Sequence, residues 1–170
     1  MADRASFEAA ADECRSRIYR AACLLLDDPC EAEDVTQQVF LEAWRGWDGF
    51  AERASAFTWM YRILLRVSAR HRRRLWWRFW RPQSLPHEGA ELITDAGPGV
   101  ADDERQALRT LLRELSPKLR EVLVLRYVEE LSVSEMADTL RIPQGTVKSR
   151  IHYALQVASR RWKEEVNDGR

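Results

Sequence analysis

Apolar residues recur at three- and four-residue intervals along most of this chain and nowhere alternate one by one, which is the periodicity of helices with one buried face. Phe7, Ala10, Cys14, Ile18, Ala22 and Leu25 share a face of a first helix, with Ser6 available as its cap, running to about Leu26. Asp27-Asp28-Pro29 reads as a turn. A second helix follows from about Cys30 to Arg45, apolar at Ala32, Val35, Val39, Phe40, Ala43 and Trp44. Its other face carries Glu33, Asp34, Gln37, Gln38 and Glu42. Gly46-Trp47-Asp48-Gly49 breaks the pattern, and the chain through Arg53 reads as a loop. A third helix starts at Ser55 or Ala56 and extends to about Arg81, with Phe57, Met60, Tyr61, Ile63, Leu64 and Val67 as its core positions.

The pattern then lapses. Residues 82–102 hold three of the six prolines, three of the seven glycines and only acidic charges, the composition of a flexible linker. Helical periodicity returns near Asp103 with Ala107, Leu108, Leu111, Leu112 and Leu115. Ser116-Pro117 closes that helix and opens the next, serine as cap and proline at the first position. Lys118 to about Tyr127 is apolar at Leu119, Val122, Leu123 and Leu125. The expected fold is therefore all-α: two small helical domains, residues 1–81 and 103–170, joined by the acidic linker 82–102.

Residues 131–150, LSVSEMADTLRIPQGTVKSR, predict two short helices with a three-residue break. Ser132-Val133-Ser134-Glu135 has the form of a capping box, so a helix should begin at Val133, with Met136, Ala137 and Leu140 inward. Arg141-Ile142-Pro143 interrupts it, and proline suits the first turn of a new helix. Beyond Gln144 the apolar positions are Val147, Ile151, Ala154, Leu155 and Ala158, while Thr146, Lys148, Ser149, Arg150, His152 and Tyr153 lie opposite. Two helices of this kind describe either an ordinary helical hairpin or a helix-turn-helix whose second helix enters the DNA major groove. Arg141 occupies a turn position where glycine is common; a left-handed conformation there costs arginine about 1 kcal/mol more than glycine.

Charge sharpens this picture. The formal net charge is zero, but it is distributed in blocks. Residues 1–50 carry five basic and eleven acidic groups, 51–82 nine against one, 83–104 none against six, and 105–170 thirteen against nine. A local basic block meets phosphate whatever the total. With 45% hydrophobic residues the chain can bury a core. Three cysteines, Cys14, Cys23 and Cys30, without a C-x-x-C pair, argue against a disulfide framework or a zinc site; Cys14 falls on a core face and Cys30 near a turn. The three histidines form no metalloprotease motif, and there is no Gly-rich phosphate loop or nucleophile motif, so no cofactor, metal or small-molecule substrate is expected. No apolar run reaches membrane-spanning length and the N-terminus does not read as a signal peptide, so the expectation is a cytoplasmic protein.

Residues 62–81, RILLRVSARHRRRLWWRFWR, combine charge and aromatic rings as single-strand nucleic-acid binders do. Arg62, Arg66, Arg70 and Arg73 suit phosphates. The cluster Trp76, Trp77, Phe79 and Trp80 suits packing first, then a protein partner, then a membrane interface. Trp47 and Trp59 read most simply as core aromatics, less so for Trp47 between its glycines.

Taken together, DDPCEAEDVTQQVFLEAWR and AFTWMYRILLRVSARHRRR within residues 20–74 resemble region 2 of the extracytoplasmic-function group of sigma-70-family factors. LRELSPKLREVLVLRYVEELSVSEMADTLRIPQGTVKSRIHYAL within 105–162 resembles region 4 of the same group. The resemblance implies an alternative sigma factor that binds core RNA polymerase and directs it to promoter DNA, with no catalysis of its own. It implies that Glu33, Asp34, Gln37 and Gln38 meet the polymerase clamp helices. It implies that Trp47, Trp59, Arg62, Arg66, Arg70 and Arg73 serve the −10 element, the loop 46–55 capturing an unstacked base. Gln144, Thr146, Lys148, Ser149, Arg150, His152 and Tyr153 would serve the −35 element. It also implies an anti-sigma partner, which in the family is often membrane-bound. The competing reading is a one-component helix-turn-helix regulator with residues 1–82 as sensor. Asn and Asp commonly stand at positions 66 and 70 of the family, a basic residue at 153 and glycine at 141, so the promoter sequence read here should differ from the usual ones.

Overall fold

The computed structural model describes the backbone of residues 4–26, 28–50, 55–79 and 102–168, and the side chains of these stretches except 75–79, 102–106 and 161–168. Most of the linker, the side chains of Trp76, Trp77 and Phe79, and the whole of Trp80 lie outside the described residues. Among the described residues the chain forms seven α-helices and no strand, in two compact units, Met1–Asp95 and Ala96–Arg170. The all-α reading in two helical parts is borne out.

The first unit packs α1 (Arg4–Leu25), α2 (Pro29–Gly46) and α3 (Ala56–Phe79), each against the other two. Ile18, Leu25, Val35, Val39, Met60, Tyr61 and Leu64 are its largest fully buried side chains, so the predicted stripes do face the core. Helix starts differ in detail. α1 begins at Arg4, where the Arg4 Nε donates to Glu8 Oε1 at 2.8 Å one turn on, and Ser6 is not its cap. The Ser6 hydroxyl instead accepts from Trp47 Nε1 at 3.1 Å. α2 begins at Pro29, and Asp28 caps it by accepting from the Cys30 amide at 2.7 Å. Ser55 caps α3, its hydroxyl accepting from the Thr58 amide. Trp44, expected to face the core, is 39% exposed. Cys14 is buried and Cys30 exposed, as their positions suggested.

Between α2 and α3 a 3-10 turn, Trp47–Gly49, stands where a loop was expected. Phe7, Trp44, Trp47, Phe50 and Trp59 form one aromatic cluster, with Trp47 stacked on Phe50 at 4.8 Å and edge-on to Phe7 and Trp59. A Cβ on Gly46 would stand 3.3 Å from the Trp59 ring, tighter than ordinary contact, so glycine suits this position by close approach rather than by its dihedral angles. Across the other side of α3, the Arg17 guanidinium lies 3.6 Å from the Phe57 ring centroid, a cation–π contact between α1 and α3.

A polar brace also ties α2 to α3. Glu42 accepts from Gln38 Nε2 at 3.2 Å, from Arg66 Nη2 at 3.3 Å, and from Arg70 Nη2. Burial pulls the Glu42 carboxyl up, but the hydrogen bonds from Gln38, Arg70 and Arg66 and the Arg70 charge outweigh it and hold the group below its ordinary range.

The second unit comprises α4 (Asp102–Glu114), α5 (Pro117–Leu123), α6 (Val133–Leu140) and α7 (Gln144–Asp168). Pro117 takes the first position of α5, but Ser116 caps through its carbonyl, which accepts from Leu119 and Arg120; its side chain makes no capping bond. After Leu123 the helix widens into a π-turn, Val124–Val128. The reason lies in the run Val122-Leu123-Val124-Leu125, all buried. A regular 100° step would spread four consecutive residues around the helix, and a wider turn re-aims part of the run.

The capping box of α6 is complete. Ser132 Oγ accepts from the Glu135 amide at 3.2 Å, and Glu135 Oε2 accepts from the Ser132 amide at 2.8 Å. At the other end Arg141 is left-handed, φ 54° and ψ 46°, while the Ile142 amide reaches back to the Ala137 carbonyl at 3.1 Å in a Schellman-type ending. The expected steric cost at Arg141, about 1 kcal/mol, is therefore present. Glu130, before α6, is the other non-glycine with positive φ, 55°. Pro143 stands just ahead of α7, its carbonyl accepting from Thr146 and Val147. Leu155, expected inward, is 43% exposed.

Two outcomes follow. Ser132→Ala should lower the stability of the second unit by about 1 kcal/mol in thermal unfolding, since α6 loses a reciprocal cap. Glu42→Gln should cost about 1 kcal/mol at pH 7 by urea unfolding, a modest figure because both arginines are more than a third exposed. A lowered folded pKa means this contribution is full above the ordinary glutamate range, about 4.3, and fades as pH falls through the lower folded value, so the difference between wild type and variant should vanish in acid.

Candidate functional site

At 100° per residue, Glu33, Asp34, Gln37 and Gln38 occupy one arc of α2. Glu33, Asp34 and Gln37 are exposed and Gln38 half-buried. Asp34 and Gln38 line an open groove toward α3 together with Val35, Val67, Arg70, His71 and Arg74. Gln37 lines a different groove toward α1, floored by Phe7, Ala11 and Phe40. Leu41, 43% exposed, lies in the middle of the same arc, and exposed Trp44 extends it. Neither was in the sequence-based set. Their signal was available: 37, 41 and 44 continue the i, i+4, i+7 spacing that defines one helix face.

On α3, Trp59, Arg62, Arg66, Arg70 and Arg73 are spaced three, four, four and three apart, so they form a single stripe. Helical geometry thus gathers the predicted −10 residues of this helix. Their environments differ, however. Arg73 is exposed and Arg62 half-buried. Arg66 and Arg70 are held by Glu42, with side chains 60% and 45% exposed. A phosphate would meet two guanidiniums that already share one carboxylate, each with further N–H groups in its fork. His71 Nε2 lies 3.4 Å from Glu31 Oε2, a second link from the basic segment to α2. Trp47 and Trp59 belong to the aromatic cluster and are half-buried, each with part of its surface open. Of the loop expected to trap a base, residues 46–50 and 55 are described and 51–54 are not.

In the second unit, Val147 and Ala154 are buried and fix how α7 is rotated. The opposite face presents Gly145, Lys148, Ser149, His152, Tyr153 and Gln156, all exposed. Thr146 and Arg150 are half-buried and flank this face rather than sit on it. Gln144 is exposed and its amide donates to Ser134 Oγ at 3.4 Å, bridging α6 and α7. The Ser149 hydroxyl donates to the Thr146 carbonyl at 3.0 Å, so its donor is already used. Gln156 pairs with His152 at 3.0 Å. Gln156 was missed by the sequence reading, although it follows Ser149 and His152 at the spacing of one helix face. Lys148 is thus a cation set squarely on the exposed face in the first turns of α7, and Tyr153, 58% exposed, is its large aromatic.

A helix-turn-helix with a polar outer face, in one unit, and an acidic-amide arc beside a basic stripe, in the other, are open surfaces of the size a macromolecule covers. No group of three or more potential metal ligands occurs among them, and none of their helices is long and apolar enough to cross a membrane.

Comparison with known proteins identifies the family to which the chain belongs. Residues 11–78 match the family model for sigma-70 region 2, and residues 105–156 that for sigma-70 region 4. The chain is 33% identical to the RNA polymerase sigma-E factor of Streptomyces avermitilis over 141 residues, 81% of this chain and 74% of that protein. It is 30% identical to the extracytoplasmic-function sigma factor SigW of Bacillus subtilis over 161 residues, 88% of this chain and 85% of that one. Its fold is similar to that of the sigma factor RpoE of Bartonella quintana, solved with the anti-sigma factor NepR, with a TM-score of 0.80 and 23% identity over 93% of this chain and 97% of that chain. The region 2 and region 4 matches fall on the two helical units in the order the sequence implied, and the chain belongs to the extracytoplasmic-function group of the sigma-70 family of RNA polymerase sigma factors.

Proposed function

We propose that the two units divide promoter recognition between them, with residues 1–81 holding core polymerase and the −10 element, 82–102 acting as the linker, and 103–170 reading the −35 element. The observation that carries this reading is the exposed face of α7, Lys148, Ser149, His152, Tyr153 and Gln156, presented by a helix whose entry is fixed through the capped α6. Major-groove edges are read by such a polar helical face. Gln144, Thr146 and Arg150 flank it and serve the phosphates on either side.

Glu33, Asp34, Gln37 and Gln38 form the polymerase-docking arc, extended by Leu41 and Trp44. Exposed apolar residues within a polar rim suit a protein partner better than DNA. Trp59 supports the basic stripe, and Arg62, Arg66, Arg70 and Arg73 meet the phosphates of the −10 strand, with Trp47 holding the intervening turn in place. The chain itself makes and breaks no bonds; it lends specificity to the polymerase and works in the cytoplasm. The similar RpoE structure is a complex with an anti-sigma factor, and we assign control by an anti-sigma partner here too.

Asp34→Ala with Gln37→Ala should weaken core polymerase binding about tenfold or more, scored by co-elution and by fluorescence titration. Unchanged binding would show that α2 does not dock. Lys148→Ala should cost promoter binding about 1–3 kcal/mol and relax selection at one upstream base pair, whereas half-buried Arg150→Ala should alter base preference less. Selection from a randomised upstream library reads both.

A further inference from the structure

The two ends of α6 pose an unexplained choice of residue. Glu130 before it and Arg141 after it both adopt positive φ, where glycine would be relaxed. Strain kept at a surface position, with a long charged side chain, asks what that side chain does. The Arg141 backbone serves the Schellman-type ending, donating to the Ala137 carbonyl, but glycine would do this as well. Its side chain is exposed, and its guanidinium has no ion pair or hydrogen bond among the described residues. Contrast Arg126, whose Nη1 donates to the Leu131 carbonyl at 3.0 Å and so braces the turn before α6. Arg141 has no such structural task. It stands three residues ahead of Gln144, where α7 begins, and the surface there is open: a Cβ on Gly145 would meet nothing within 4 Å.

We propose that Arg141 is a phosphate-binding residue of the −35 interface, its strained turn aiming a free guanidinium at the DNA backbone beside the recognition helix. A helix-turn-helix lays its second helix in the groove and its preceding turn close to the sugar-phosphate wall, where a forked guanidinium matches two phosphate oxygens. Such a contact raises affinity for any sequence and adds to the salt dependence without changing which bases are read. This inference rests on α7 being the −35 reader.

The test uses core polymerase loaded with the full chain and duplex fragments selected by the wild-type holoenzyme, with the upstream element intact or scrambled. Arg141→Gly should raise the melting temperature of the free chain by about 4 °C, because the left-handed turn is relieved. The same variant should lower affinity about fivefold to tenfold on both fragments and make the slope of log K against log salt shallower by about 0.9, one phosphate contact. Arg141→Asn, which also tolerates the turn, should behave alike, and Arg141→Lys should recover part of the affinity. Glu130→Gly should be stabilised similarly, with affinity within about twofold of wild type.

Unchanged affinity and slope in Arg141→Gly would overturn the proposal. So would a loss confined to the intact element, which would make Arg141 a base reader, or a loss as large in Glu130→Gly, which would trace the effect to loosened ends of α6. A lower melting temperature in Arg141→Gly would remove the strain on which the proposal is built. Failure of the −35 reading itself looks different: wild-type holoenzyme would then bind the intact and scrambled fragments equally.

Discussion

An eight-residue helix cannot hold itself together in water, and the placing of the long α7 depends on one. Isolated helices shorter than about twelve residues are marginal because the first turn fixes several dihedral angles for a single hydrogen bond. α6 forms because its first turn is closed by the reciprocal Ser132–Glu135 bonds, its last turn by the left-handed Arg141, and its inner face by Met136 and Thr139. α7 takes its rotation from Val147 and Ala154 packed in the same core, and its Gln144 is tied back to Ser134 on α6. Loosen α6 and the exposed polar face of α7 has no fixed aim. Glu135 is a part of that closure, and its carboxyl is held below the ordinary range by the hydrogen bonds from Ser132.

The first unit solves a different problem, the crowding of like charges. Nine basic groups fall in residues 51–82, most on one helix. Arg66 and Arg70 are kept in register by a single half-buried carboxylate from α2, and His71 lies against Glu31 of the same helix. α2 therefore works in two directions. Its exposed arc offers acids, amides and two apolar side chains outward, while Glu42 and Glu31 hold the basic helix alongside. An outward acidic-amide arc and a basic stripe are thus joined through one helix–helix contact. The aromatic cluster around Trp47 and Trp59 locks the entry to that contact.

Much of this was legible in the residues. Each core stripe followed from 3.6-residue spacing, because burial of one face is a local property of a helix. The capping box, the Ser116-Pro117 junction and the break at Gly46 were readable from short-range chemistry, and so was the strain at Arg141. What misled was what lies across the fold. Ser6 looked like a cap and is instead the acceptor for Trp47, 41 residues away. Trp44 looked buried by spacing, yet it lies partly open beside Phe7. The π-turn at Val124–Val128 is invisible to periodicity, since it arises from fitting four consecutive apolar residues against one core.

The sequence by itself determined that the chain is helical, that it has two parts, and which short stretches carry the family's chemistry, because helix periodicity, capping and turn preferences act over a few residues. Only the tertiary structure decided which charges remain available. Arg66 and Arg70 read as free cations until α2 brings Glu42 against them. Arg150 reads as a groove-facing residue until the rotation of α7 half-buries it. Arg141 was notable in the sequence for its turn position, but only the fold shows that its guanidinium meets no partner among the described residues. A charge is local in the sequence, but what it meets depends on side chains dozens of residues away, and that pairing exists only after the helices have packed.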